Sequence, residues 1–281
     1  MAFLRFGCAP TVQDPLLNEL LGAFKATPFL PPSAEVQPLM LVGHRGQKTH
    51  HCGPLEEIFI KTGVPFQLKP DRAASANVDL TRTAMMNFDL GFQLLDGLFK
   101  GFDLKIDPLK ATLGKAKEIG LSFKNVQKRY ITNTELGSAL INQKINLEHP
   151  SMAAFLREEK PLGMYVVSSV LQSNEFTVHL GKISDGELDI KAPEIEQLTN
   201  VGLKVEGDRD TNYTITHKGK KYLTFAFACF QLKYDSTGNK LSLEEEQVWA
   251  KGTDGAIKEK QSAEEVSFID SKLPAILSWD E

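Results

Sequence analysis

Asn77-Val-Asp-Leu-Thr-Arg-Thr-Ala-Met-Met-Asn-Phe-Asp-Leu-Gly-Phe-Gln-Leu94 resolves when taken two residues at a time. Val78, Leu80, Arg82, Ala84, Met86, Phe88, Leu90, Phe92 and Leu94 form one face. Asn77, Asp79, Thr81, Thr83, Met85, Asn87, Asp89, Gly91 and Gln93 form the other. Only Arg82 on the first face and Met85 on the second break the division. This is the period of a β-strand with one dry and one wet face. Ordinary strands stop at about five or six residues, and this alternation runs roughly three times as long. At roughly 3.4 Å per residue it can more than cross a bilayer core of about 30 Å. The pattern fits two readings. One is a long, bent strand in a sheet solvated on one face. The other is a strand that can exchange water for lipid.

The chain has 281 residues, enough for one large domain or two ordinary ones, and can bury a core without staples. Its formal net charge of -4 argues against a nucleic-acid partner, which would select a basic surface. Cys8, Cys52 and Cys229 are too few, and odd in number, for a disulfide framework; they suit a reducing compartment. No run of eighteen apolar residues offers a helical membrane span. The opening Met1-Ala-Phe-Leu-Arg-Phe-Gly-Cys8 has too short an apolar part, and no positive region ahead of it, for a secretory signal. The expected state is an unprocessed, cytoplasmic protein.

Around the opening stretch, Asp14 and Pro15 start a predicted helix over 14–25 with an apolar stripe of Leu16, Leu17, Leu20, Leu21 and Phe24. Residues 38–42 form a short strand candidate, and 44–54, polar and glycine-bearing, a loop. Strand character returns at 120–131. A helix capped by Thr132 or Asn133 covers 132–144, and a short helical turn starts at Pro150. Residues 164–171 and 176–180, separated by Ser173-Asn174, spell a hairpin with Val166, Val170, Phe176, Val178 and Leu180 as its apolar positions. Strands over 203–206, 212–217 and 222–234 follow, joined by turns at Gly207-Asp208 and Lys218-Gly219; the last is apolar on both faces, as a central strand is. Residues 252–265 are charged and small, an exposed linker. The tail after it carries Val266, Phe268, Ile269, Leu273, Ile276, Leu277 and Trp279, which must lie against something.

Catalytic signatures are missing: no GxGxxG after a strand, no GxxxxGK[ST], no HExxH and no GxSxG. No enzymatic function is expected. His44, His50, His51 and Cys52 are close in sequence, but three contiguous ligands cannot point one way along a strand, so a solvated loop is expected and no metal. Cys8 has two readings, a small buried thiol or a lipid attachment point beside an apolar amphipathic segment.

An amphipathic helix leading into Ser33-Ala-Glu-Val-Gln-Pro-Leu-Met-Leu-Val42 resembles the start of the gasdermins. The alternation over 78–94, the stretch 121–131 and the pair 164–180 fall where gasdermins carry membrane-inserting strands. Length and the early cysteine look most like the bacterial members. The resemblance implies an α+β fold: a twisted, mainly antiparallel central sheet with surrounding helices. It implies a pore-forming domain over 1–251, a linker with a protease site over 252–265, and an autoinhibitory peptide over 266–281. A caspase-like or related protease would remove that peptide. The freed domain would then pass from monomer to large homo-oligomer on the inner membrane, insert β-hairpins and kill the cell in antiphage defence. It also implies a palmitoyl group on Cys8 and no other cofactor. Membrane lipids are the remaining partner. Arg82 is discordant, since an arginine facing lipid at the midplane costs roughly 2–4 kcal/mol and little near the interfaces; its place is a headgroup boundary. The competing expectations are a non-enzymatic lipid-binding or scaffold protein and an enzyme of unrecognised type.

Overall fold

The computed structural model describes residues 26–45, 48–61, 65–75, 78–80, 99–102, 116–156, 163–183, 203–207 and 213–243. Two long antiparallel strands, β8 (Gly163–Ile183) and β10 (Tyr213–Asp235), form the spine. Three strands lie end to end along the free side of β8: β2 (Met40–Arg45), β7 (Gln127–Tyr130) and β6 (Ala116–Lys124). Three more flank β10: β11 (Lys240–Leu243), β1 (Thr27–Ser33) and β9 (Leu203–Gly207). Outside these, β3 (Lys48–Pro54) pairs with β2, β4 (Asp71–Ala74) with β7, and β5 (Val78–Leu80) with β6. Every one of these pairings is antiparallel.

A bend crosses this sheet at one level. β4 ends at Ala74 and β5 starts at Val78; β7 and β6 are separated by Asn125 and Val126. On the spine, Lys218 lies opposite Glu175 and Leu223 opposite Ser173, so residues 219–222 face Asn174 alone. Such a bulge bends its strand and raises the local twist. Asn125 takes a left-handed conformation at φ 53°, which asparagine tolerates better than most residues. The bend divides the sheet into a proximal half and a distal half.

The proximal half is packed on both faces. On one lie α1 (Asn133–Leu140), α2 (Pro150–Phe155) and a tight turn over Leu55–Ile58. Leu136, Leu140, Met152 and Phe155 meet Val166, Phe230 and Leu232 there. The other face gathers Val36, Met40, Val42, Val167, Val170 and Phe227. The Thr132 hydroxyl accepts from the Glu135 N–H at 3.2 Å, and the Glu135 carboxylate accepts from the Thr132 N–H at 2.9 Å. This reciprocal cap starts α1 where the residue types predict it.

Three expectations need correction. The Ser173-Asn174 turn does not form: 164–180 is a stretch of one strand, and its hairpin partner is β10. The break at Lys218-Gly219 is the bulge, within one continuous β10. Residues 44–45 and 48–54 are strand, not loop, in β2 and β3; histidine and threonine at a sheet edge carry the same polarity as a loop. The predicted helix over 14–25, residues 81–94 of the opening stretch, and 252–281 lie outside the described residues; Val78 to Leu80 are strand, as the alternation predicts.

Candidate functional site

The distal half-sheet, in the order β5, β6, β8, β10 and β9, carries the chemistry of interest. Its register sorts side chains by type. Phe123 is opposite Phe176, and Phe176 opposite His217; Leu121 is opposite Val178, and Val178 opposite Ile215. All six are buried. Phe123 stacks on Phe225 with ring centroids 4.1 Å apart. The other face pairs Ser122 with Thr177 and Thr177 with Thr216, and places His179 opposite Thr214. Its hydroxyls bond across strands: Thr177 to Thr216 at 3.2 Å and the His179 ring to Thr214 at 3.2 Å. Lys124, His179, Lys204, Glu206 and Lys218 on this face are exposed, whereas Ser122 and Thr177 at its centre are buried. One face of this half-sheet is thus apolar except for the buried His217 and the other polar, in register across at least three strands.

The bend is fastened by short polar contacts. Ser173 Oγ lies 2.6 Å from the Lys124 carbonyl and accepts from the Glu175 N–H at 3.0 Å. The Glu175 carboxylate accepts from Asn125 Nδ2 at 3.0 Å and pairs with Lys218 Nζ at 3.4 Å. Asn174 Nδ2 donates to the Gly219 carbonyl at 3.1 Å. Just proximal to the bend, Gln172 is buried, takes a hydrogen bond from Gln127 at 3.1 Å, and donates to Thr224 at 3.1 Å. Thr224 donates to the Val36 carbonyl at 2.7 Å. Arg129 donates to Gln37, within the Ser33–Val42 stretch that carries the family resemblance. Desolvation, with Arg72 directly opposite, lowers the Arg129 pKa. Gln37 therefore ties the segment between β1 and β2 to β7.

The structure separates the candidate residues predicted from sequence. Phe176, Val178 and Leu180 sit in the distal half and share its apolar face. Val166 and Val170 sit in the proximal half, in different core clusters. Val78 and Leu80 pair in register with Phe123 and Leu121. Cys8, Ala84, Met86, Phe88, Leu90, Phe92, Leu94 and the tail positions lie outside the described residues. Phe123 and Ile215 are not among the membrane-strand candidates, and the residue type of Ser173 points to a turn and not to a fastener of the bend. The short alternation of Leu121 and Phe123 with Ser122 and Lys124 was the available signal.

In the β2–β3 hairpin, burial lowers the His44 pKa, and His50 adds to the effect. Burial raises the Cys52 thiol, partly offset by a hydrogen bond from the Gly43 backbone. No cluster of metal-ligating side chains occurs among the described residues. A groove of about 530 Å³ runs beside this hairpin, with Leu39, Met40, Leu55, Phe66 and Leu68 along it and Glu35 and Glu56 among its polar residues. Among the described residues no helix is long and apolar enough to cross a membrane, which leaves strands untouched as spanning elements.

A family model described as Bacterial Gasdermin Family matches residues 29–239. The chain is 28% identical over 202 residues to a gasdermin of Vitiosangium sp., covering 72% of this chain and 74% of that one. It is 27% identical over 236 residues to a gasdermin of an unknown prokaryotic organism, covering 82% and 84%. A solved bacterial gasdermin from Bradyrhizobium tropiciagri has a TM-score of 0.53 at 15% identity, covering 84% of this chain and 93% of that one; this likeness bears on the fold.

Proposed function

The chain belongs to the bacterial gasdermin family, a family of pore-forming proteins that are not enzymes, and from that premise we propose that its distal half-sheet is the part that enters the membrane. The observation that carries this reading is the in-register division of that half-sheet into an apolar and a polar face. A membrane barrel needs strands alternating apolar toward lipid and polar toward the lumen, closed so that no backbone edge meets lipid. β6 is 9 residues long, within the roughly 9–11 residues of a tilted membrane strand. It pairs with residues 175–183 of β8 along its length. The proximal half, packed on both faces, suits a body that stays folded outside the bilayer.

In the proposed cycle a protease, caspase-like or related, cuts within 252–265 and releases residues 266–281. The freed domain passes from cytoplasmic monomer to large homo-oligomer on the inner membrane. There it extends the strands 78–94 and 116–124 as one hairpin, and the distal parts of β8 and β10 as another. The outcome is lysis of the infected cell. Palmitoylation of Cys8 would strengthen membrane attachment, one acyl chain alone giving only marginal binding. Specific cleavage engineered into 252–265, followed by mixing with dye-loaded vesicles of bacterial lipid, tests the cycle. Leakage after cutting is expected; vesicles that stay sealed at saturating cut protein would refute it.

The groove beside the β2–β3 hairpin favours a second reading, an acyl-chain binder, since its volume lies within the roughly 300–1,000 Å³ of small-ligand clefts. That reading expects cells expressing 1–265 to remain viable. The pore expects them to die.

A further inference from the structure

The apolar face of the distal half-sheet is covered in part by a single helical turn, residues 99–102, that belongs to the connection between β5 and β6. Phe99 is fully buried. Its ring meets Phe176 edge-on with centroids 5.6 Å apart. Phe102 lies 5.1 Å from Phe176 and 4.8 Å from His217, centroid to centroid. On its other side the turn presses against the body. A Cβ on Gly101 would come 2.4 Å from the Pro32 carbonyl oxygen and 2.9 Å from its Cδ, so only glycine fits this approach. Pro32 is buried in β1, and β1 is paired to the proximal part of β10, Thr27 with Phe227 and Ser33 with Thr224. The turn thus holds rings of the distal half with one side and backbone of the proximal half with the other, across the bend.

We propose that the 99–102 turn is an internal strap that keeps the distal half-sheet folded against the body, with a release barrier of its own, separate from that of the C-terminal residues. The proposal rests on the reading that the distal half-sheet is the moving part. In the register that pairs Leu80 with Leu121, residues 99–102 fall at the far end of the proposed hairpin, between its two strands, so β5 and β6 lengthen away from the body only after Phe99 and Phe102 leave Phe176. Proteolysis at 252–265 would then be necessary but not sufficient, and the strap would set the rate of the step after the cut.

The test uses the full, uncut chain and hydrogen exchange followed by mass spectrometry. Gly101→Ala drives a methyl into the Pro32 carbonyl; Phe102→Ala removes the ring from Phe176 and His217; Phe102→Leu keeps most of the apolar area. Peptides over 175–183 and 213–217 report the distal half, and those over 164–171 and 226–234 the proximal half. Gly101→Ala and Phe102→Ala should speed distal exchange at least about tenfold with proximal exchange unchanged, and Phe102→Leu should restore most of the protection. Unchanged distal exchange in both variants would overturn the proposal. So would an equal rise in both halves, which would make the turn an ordinary piece of the core. Cutting the same proteins beside vesicles separates this from the pore itself. If wild-type cut protein fails to leak, the pore reading falls, whereas the exchange pattern still decides the strap. If it leaks, the Gly101→Ala protein should leak with a shorter lag, and an unaltered lag would refute a rate-setting strap.

Discussion

The two faces of the distal half-sheet differ most sharply at adjacent residues, Val178 and His179. Val178 is fully buried on the apolar face, and His179 is exposed on the polar one. Within 175–183, the part of β8 paired with β6, residue 179 is central. Val178 is therefore within about 3.4 Å of the bilayer midplane if this segment spans it. Arginine facing lipid there costs roughly 2–4 kcal/mol, which at 1.4 kcal/mol per tenfold is roughly 30- to 700-fold in the insertion equilibrium of each protomer. Arginine at residue 179 would face the lumen, with no such cost. The expectation is that Val178→Arg nearly abolishes dye release by the cut protein, Val178→Ala keeps it, and His179→Arg keeps it. The assay is release of an encapsulated fluorophore over a titration of cut protein. Melting curves of the uncut proteins separate loss of folding from loss of insertion, because an arginine at residue 178 is also unwelcome in the closed form. Equal release by Val178→Arg and His179→Arg would refute the assignment of faces.

Gln172→Leu leaves the Gln127 amide without its acceptor, and Gln172 is buried. The cost should be about 1–3 kcal/mol, seen as a fall in melting temperature of roughly 2–12 °C at 2–4 °C per kcal/mol; an unchanged melt would remove the network at the bend from the account. His44 has a folded pKa below its ordinary value. The unfolded chain therefore binds the proton first, and stability is complete above about pH 6.5 and falls as pH drops below it. A melting series from about pH 7 to about pH 5 should show that fall, shallower in His44→Gln. The Cys52 thiol, raised by burial, should alkylate more slowly near neutral pH than free cysteine; labelling at the free-thiol rate would contradict its burial.

Much of the proximal half was legible in the residues. Thr132 with Glu135 three positions on is a capping box, and Pro150 starts a helix in the first-turn position proline favours. The buried run over 223–230 marks β10 as central. Ser173-Asn174 signals a turn because turn-forming residues also serve at bends: the Ser173 hydroxyl bonds to the Glu175 backbone as it would in a turn, yet the strand runs on. The length of β8 and β10 was hidden for the same reason, and no local period reveals which strands share a bulge level. His50 and Cys52 give no strand signal because edge-strand polarity is indistinguishable from loop polarity in one sequence. The division of Val166 and Val170 from Phe176, Val178 and Leu180 also needed the register, since all five are apolar residues in one strand.

In the proposed insertion, residues 175–183 leave one packing for another, with even positions toward lipid and odd positions toward water. Single cysteines at residues 176 to 180, each carrying an environment-sensitive fluorophore in a chain whose native cysteines are replaced, report this directly. After cutting on vesicles with brominated lipid, blue-shifted, quenched emission is expected at 176, 178 and 180 and water-like emission at 177 and 179. Water-like emission at all five positions, or the same emission at neighbouring ones, would contradict it.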